Sequence, residues 1–184
     1  TVVPGPMDHI ITIPNPISLM AGSTQQFTAQ AYDQYNNPIN GLSFTWSTDV
    51  GTIDASGFLT AQTFTGSGTV TATFGTMSGI ATVNIIPGPL HHIIVLPNPA
   101  TIVVNGIQLF TATGYDSYNN IITGLAFTWW TNVGIVINGL FTAQPMPGTG
   151  TLTATNGPIS GIATVSVVNV PVDHIIVLPD PATV

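Results

Sequence analysis

The chain has 184 residues, of which 44% are hydrophobic and only 4% charged. It holds no Lys, Arg or Cys, and its seven acidic residues are all Asp, for a formal net charge of −7. Nucleic acid and anionic lipid headgroups need cationic side chains, which are missing, and a disulfide framework or thiolate metal site needs cysteine, which is also missing.

Period-two alternation of apolar and Thr residues runs throughout, and helix formers are scarce, so the predicted elements are strands. Thr1-Val2-Val3-Pro4 resembles the end of a preceding unit. After Pro4-Gly5-Pro6 a first strand is expected at His9–Ile13, broken by Pro14-Asn15-Pro16. Such a break suits an edge strand that switches sheets. A short edge strand follows at Ile17–Met20, then strands at Gln25–Tyr32, Ser43–Ser47, Phe58–Ala61, Gly68–Phe74 and Ile80–Ile86. Gly66-Ser67-Gly68 and Gly75-Thr76 read as turns. Trp46 is expected at the centre of the core, surrounded by Phe27, Phe44, Val70, Ala72, Ala81 and Val83. Thr on the other face solvates the strands without charge, and leaves edges undefended by Lys.

From Pro87-Gly88-Pro89 the whole pattern returns. His9, His92 and His174 mark the same point, 83 and 82 residues apart. Tyr32-Asp33-Gln34-Tyr35-Asn36-Asn37 returns as Tyr115-Asp116-Ser117-Tyr118-Asn119-Asn120, and Trp46 returns as Trp129. About half the aligned positions are identical, with one residue deleted near Ala55. A unit this long is a whole small domain. The expected organisation is the end of a preceding repeat at 1–4, repeat one at 5–87, repeat two at 88–169, and a linker with the first strand of a third repeat at 170–184. Seven or so short strands per unit with regular turns argue for an all-β fold of two tandem immunoglobulin-like sandwiches plus that extra strand.

Gln25-Gln26-Phe27-Thr28-Ala29, Tyr32-Asp33 with Asn36-Asn37-Pro38-Ile39, Phe44-Thr45-Trp46-Ser47, Gly57-Phe58-Leu59-Thr60-Ala61 and Ala81-Thr82-Val83 resemble the bacterial Ig-like (Big) repeats of invasin and intimin type. The resemblance covers essentially the whole chain. It implies an extracellular or cell-surface setting and a spacer role, without naming a ligand.

Few residues suggest chemistry. Asp33 and Asn37, with their counterparts Asp116 and Asn120, form an oxygen-rich loop that calcium could use, or a self-capped turn. Asp8-His9 recurs as Asp173-His174, but the middle copy is His91-His92. One Asp–His pair falls short of a metal site and reads as linker packing. Tyr32 and Tyr35 offer a sugar platform or packing. No close pair of carboxylates with separable roles is evident, so no catalysis and no cofactor other than calcium are expected. No Asn-x-Ser/Thr sequon occurs, while the Thr-rich surface leaves O-glycosylation open. No apolar run reaches 18 residues, so direct membrane insertion by this segment is not expected.

Interaction candidates come from differences between the repeats. Ile80, Ile107, Ile135 and Ile162 stand where similar repeats often carry Thr, and several should face solvent. They form a lateral contact surface between copies, or are positions where a Thr-shaped side chain has been read as Ile. Trp130 replaces Ser47 and marks either an edge contact or a carbohydrate site. The expected function is a structural segment of a stalk, filament, sheath or surface layer, a semi-rigid spacer and self-assembly unit. Its expected partners are neighbouring repeats and other copies of itself. The alternative is an adhesin module for carbohydrate or a host surface.

Overall fold

The computed structural model describes residues 3–173, and the expected third-repeat strand lies largely outside them. The described residues form strands and turns without a helix. Repeat one contains β1 (Met7–Ile13), β2 (Ile17–Met20), β3 (Thr24–Gln26), β4 (Thr28–Asp33), β5 (Pro38–Ile39), β6 (Thr45–Thr48), β7 (Gly51–Ile53), β8 (Phe58–Ala61), β9 (Gly66–Phe74) and β10 (Met77–Ile86). Repeat two contains β11 (His92–Leu96), β12 (Ala100–Val103), β13 (Ile107–Leu109), β14 (Thr111–Tyr115), β15 (Ile121–Ile122), β16 (Thr128–Thr131), β17 (Gly134–Ile137), β18 (Leu140–Ala143), β19 (Gly148–Asn156) and β20 (Ile159–Val168). The described residues fall into two compact units: those up to His91 with Tyr115–Ile122, and His92–Gly114 with those from Thr123 on.

In repeat one a four-stranded sheet has the order β2-β10-β9-β6. Two three-stranded sheets, β1-β4-β5 and β3-β8-β7, make up the opposing layer. The alternation in β10 is complete: Gly79, Ala81, Val83 and Ile85 are buried while Ser78, Ile80, Thr82, Asn84 and Ile86 face out. Gly79 cannot be larger, because a Cβ there would sit 2.5 Å from the Ile10 carbonyl oxygen as β1 crosses over. Repeat two repeats the plan with β12-β20-β19-β16, β11-β14-β15 and β13-β18-β17.

Pro14-Asn15-Pro16 moves the chain from the β1 sheet to the β2 sheet, as expected from the proline break. The prolines have no N–H to give, and the Asn15 side chain takes over. Its Nδ2 donates to the Ile80 carbonyl at 3.1 Å, and its Oδ1 accepts from the Thr82 N–H at 2.9 Å. The amide thus extends the β10 ladder across the break. Asn98 does the same with Ile162 and Thr164.

Three expectations need correction. Trp46 is only half-buried and lies where two core clusters meet, whereas Phe27 is fully buried within the larger cluster. Trp129 is likewise half-buried. An indole is large enough that complete enclosure is uncommon. Gln25–Tyr32 is not one strand: it breaks at Phe27, whose N–H donates to the Gly57 carbonyl at 2.8 Å. Gly66-Ser67-Gly68 is not a turn but the start of β9, paired with Ile85, Asn84 and Val83. Gly68 is small because the Asp49 and Val50 side chains pack where its Cβ would be, and a strand glycine often marks such a close approach.

Candidate functional site

The Asp33 loop is closed by its own carboxylate. Oδ1 accepts the N–H groups of Tyr35 and Asn37, both at 2.9 Å. Oδ2 accepts the Gly5 N–H at 2.8 Å and the Asn37 side-chain amide at 2.9 Å. Asn36 turns the chain with φ 61°, a conformation Asn tolerates. Asp116 repeats the arrangement on Tyr118, Asn120 and Gly88, with distances of 2.8–2.9 Å. Both carboxylates are buried. Each Asp therefore ties the glycine of a Pro-Gly-Pro linker to a loop about 28 residues further on.

This geometry bears on calcium. Four N–H donors already fill the lone pairs of each carboxylate, and both Asn amides present hydrogen, not oxygen, to the carboxylate. A calcium ion at Asp33 and Asn37, or at Asp116 and Asn120, would have to displace all of these. The arrangement is that of a self-capped turn. Among the described residues no three His, Cys, Asp or Glu side chains gather as a metal group.

The Asn37 side chain, then the Gly5 N–H, hold the Asp33 carboxyl at about 2, below its ordinary 3.8. At Asp116 burial pushes upward, but the Asn120 side chain and the Gly88 N–H outweigh it and the group also sits at about 2. A carboxyl depressed on folding stabilises above its unfolded value and loses that contribution as pH falls through its folded value. Thermal melts at pH 7 and at pH 2 should therefore show a falling midpoint, with most of the loss below about pH 4. An Asp116→Asn variant should show a shallower pH dependence.

His9 stacks on Tyr32 with ring centroids 5.4 Å apart, and its Nδ1 lies 3.0 Å from Asp8 Oδ2. Tyr35 is exposed. His174 lies outside the described residues. Trp130 stands on the outer face of β16, paired with Thr153, and is 59% exposed. Replacing it with Ser, its counterpart in repeat one, should shift stability by less than about 0.5 kcal/mol in a urea titration.

Ile80, Ile107, Ile135 and Ile162 are all exposed, and the structure divides them. Ile80 stands on the outer face of β10 in a row with Thr71 and Ser47, and Ile162 stands on that of β20 in a row with Thr153 and the exposed Trp130. Ile107 and Ile135 instead flank Thr142 across one three-stranded sheet. Leu109, Leu140 and Ile137 form a second row beside them. Those three were missed from sequence. Comparing the two repeats position by position would have flagged Leu109 and Ile137, since Gln26 and Asp54 occupy the same places.

No family model matches the chain. Ice-binding protein 1 of Shewanella frigidimarina (strain NCIMB 400) is 29% identical over 141 residues, covering 74% of this chain but 16% of that protein. The Escherichia coli adhesin FdeC superposes with a TM-score of 0.60 at 18% identity, over 91% of this chain and 66% of FdeC. Yersinia pseudotuberculosis InvD gives a TM-score of 0.50 at 20% identity, over 93% of this chain and 60% of InvD. The chain spans only part of each of these proteins. The fold is thus the all-β, Ig-like architecture also found in bacterial adhesins.

Proposed function

We propose that the chain is a load-bearing spacer in an extracellular stalk, filament, sheath or surface layer. The observation that carries this is the placement of the outermost strands of repeat one. β2, near its start, lies beside β10, its last strand, and the two run parallel with Ile17 opposite Val83 and Met20 opposite Ile86. Tension applied at the two ends of a repeat pulls parallel neighbours in opposite directions along their axes. The ladder bonds are then loaded together, not opened one at a time. β12 and β20 repeat the arrangement, with Ala100 opposite Val165 and Val103 opposite Val168.

Asn15 adds two bonds to the same junction. Asn15→Ala should lower stability by about 1 kcal/mol, read as a lower urea midpoint. Pinning of Gly5 by Asp33 supports a linker whose start is fixed on its own repeat. Similarity to part of an adhesin and to part of an ice-binding protein is consistent with a surface setting.

Immunogold labelling of intact cells and electron microscopy of the native material test this proposal. Label on extended or layered surface structures is expected. A compact, intracellular, unassembled particle would overturn it. A second reading, an adhesin module for carbohydrate, rests on Trp130, whose exposed indole has no counterpart in repeat one. Glycan binding that is lost in Trp130→Ser would favour it.

A further inference from the structure

The outer face of the β13-β18-β17 sheet carries two straight rows of side chains. Ile107, Thr142 and Ile135 form one row, and Leu109, Leu140 and Ile137 the other. Phe141, between Leu140 and Thr142 on β18, points the opposite way and is fully buried, which fixes the rows on the solvent side. The five aliphatic residues are between 49% and 68% exposed. Repeat one has the same sheet with Thr24, Thr60 and Thr52 in one row, and Gln26 and Phe58 in the other with Asp54 beside them. At four positions a polar residue has thus become aliphatic on the same backbone. Folding does not require this, since repeat one forms the sheet with polar residues there.

The turn beside the face also differs. Asp54-Ala55-Ser56-Gly57 becomes Ile137-Asn138-Gly139, the one-residue deletion between the repeats. With φ 49° at Asn138 and 84° at Gly139, this is the compact two-residue hairpin that Asn-Gly favours. It removes both the Asp54 carboxylate and a longer loop from the rim. Five exposed aliphatic side chains in two adjacent rows make a contiguous apolar patch, and such patches often mark interaction sites. A stable interface takes ~800 Å² from each partner, and the threonines around the rows would supply what the aliphatic side chains do not.

We propose that this face is a homotypic contact, repeat two of one chain against repeat two of a second copy. A two-fold pairing sets aliphatic rows against aliphatic rows, and no carboxylate stands in either row. A partner recruited by the charge of this chain would be cationic, and this face gives it no Asp to meet. The proposal deepens the structural function by naming its contact, but it can fail alone: a spacer without lateral contacts would leave that function intact.

The test is sedimentation equilibrium of the whole chain from about 1 to 500 µM, wide enough for an interface of this size. The wild type should pass from monomer to dimer. Ile107→Thr, Leu109→Gln and Ile135→Thr together, which restore the residues of repeat one, should weaken the dimer by about 100-fold or more. Circular dichroism should confirm that this variant folds. Ile135→Asp, a single exposed change, gives an independent check by setting like charges together at the contact. The reverse graft, Thr24→Ile, Gln26→Leu and Thr52→Ile, should create a second contact and species larger than dimers. A wild type that stays monomeric throughout, or a dimer unaffected by both face variants, would overturn the proposal.

Discussion

Phe27→Ala is expected to unfold, or nearly unfold, the first repeat at room temperature. Phe27 is fully buried and belongs to the larger core cluster with Leu19, Leu59, Val70 and Val83. Truncating such a ring costs about 3–5 kcal/mol, because the walls of the cavity only partly collapse. The whole stability of a domain is about 5–15 kcal/mol. The site is also poorly placed to relax, since the Phe27 N–H is tied to Gly57. A Cβ on Gly57 would lie 2.9 Å from the Trp46 ring, so backbone and indole are already in close contact there. Trp46→Phe should cost less than half as much, because the half-buried indole keeps part of its surface in water. Urea titrations of both variants read the difference. If Trp46→Phe proved the more damaging, Trp46 would be the keystone and the assignment of Phe27 wrong.

The second large effect is expected at Asp116. Asp116→Ala leaves the N–H groups of Gly88, Tyr118 and Asn120 without their acceptor and takes one of two acceptors from the Asn120 amide, which keeps the Thr63 carbonyl. Water can rescue only part of this, because the carboxylate they surround is buried. Orphaned donors are costly, and for a domain of this size the loss should lower the melting midpoint by about 10 °C or more. The Asn120 loop should also exchange its amide hydrogens faster. Added calcium should restore neither property. Rescue by millimolar calcium would show that the loop is a cation site after all.

Much of the fold was legible in the sequence because the repeat states it twice. The alternation Ile80-Ala81-Thr82-Val83 gave the faces of β10, though the strand begins earlier, at Met77, and Pro14-Asn15-Pro16 gave the change of sheet. β2 and β8 fall where composition placed them. Two strands were missed: β5, two residues beginning with Pro38, and β7, which begins with Gly51. Both are too short for alternation to register. Phe27 was hidden because the break is made by a hydrogen bond to Gly57, thirty residues away, while Gln25–Tyr32 reads locally as one strand. The apolar face was half legible. Ile107 and Ile135 stood out as replacements for Thr, but they become a surface only when strand register sets Leu109, Leu140 and Ile137 beside them.

The proposed role is mechanical, and single-molecule pulling measures it. The chain has no native Cys, so attachment points can be introduced singly. Pulled through its termini, it should give two separate unfolding peaks. Each should release roughly 20–30 nm of chain, from about 3.3–3.6 Å per residue over one repeat. Attachment instead at Gly66→Cys and Ile86→Cys, at the open end of the β9–β10 ladder, should open repeat one at clearly lower force, because those bonds then break in turn. Extension from the termini without force peaks, or at no higher force than through residues 66 and 86, would contradict a load-bearing role.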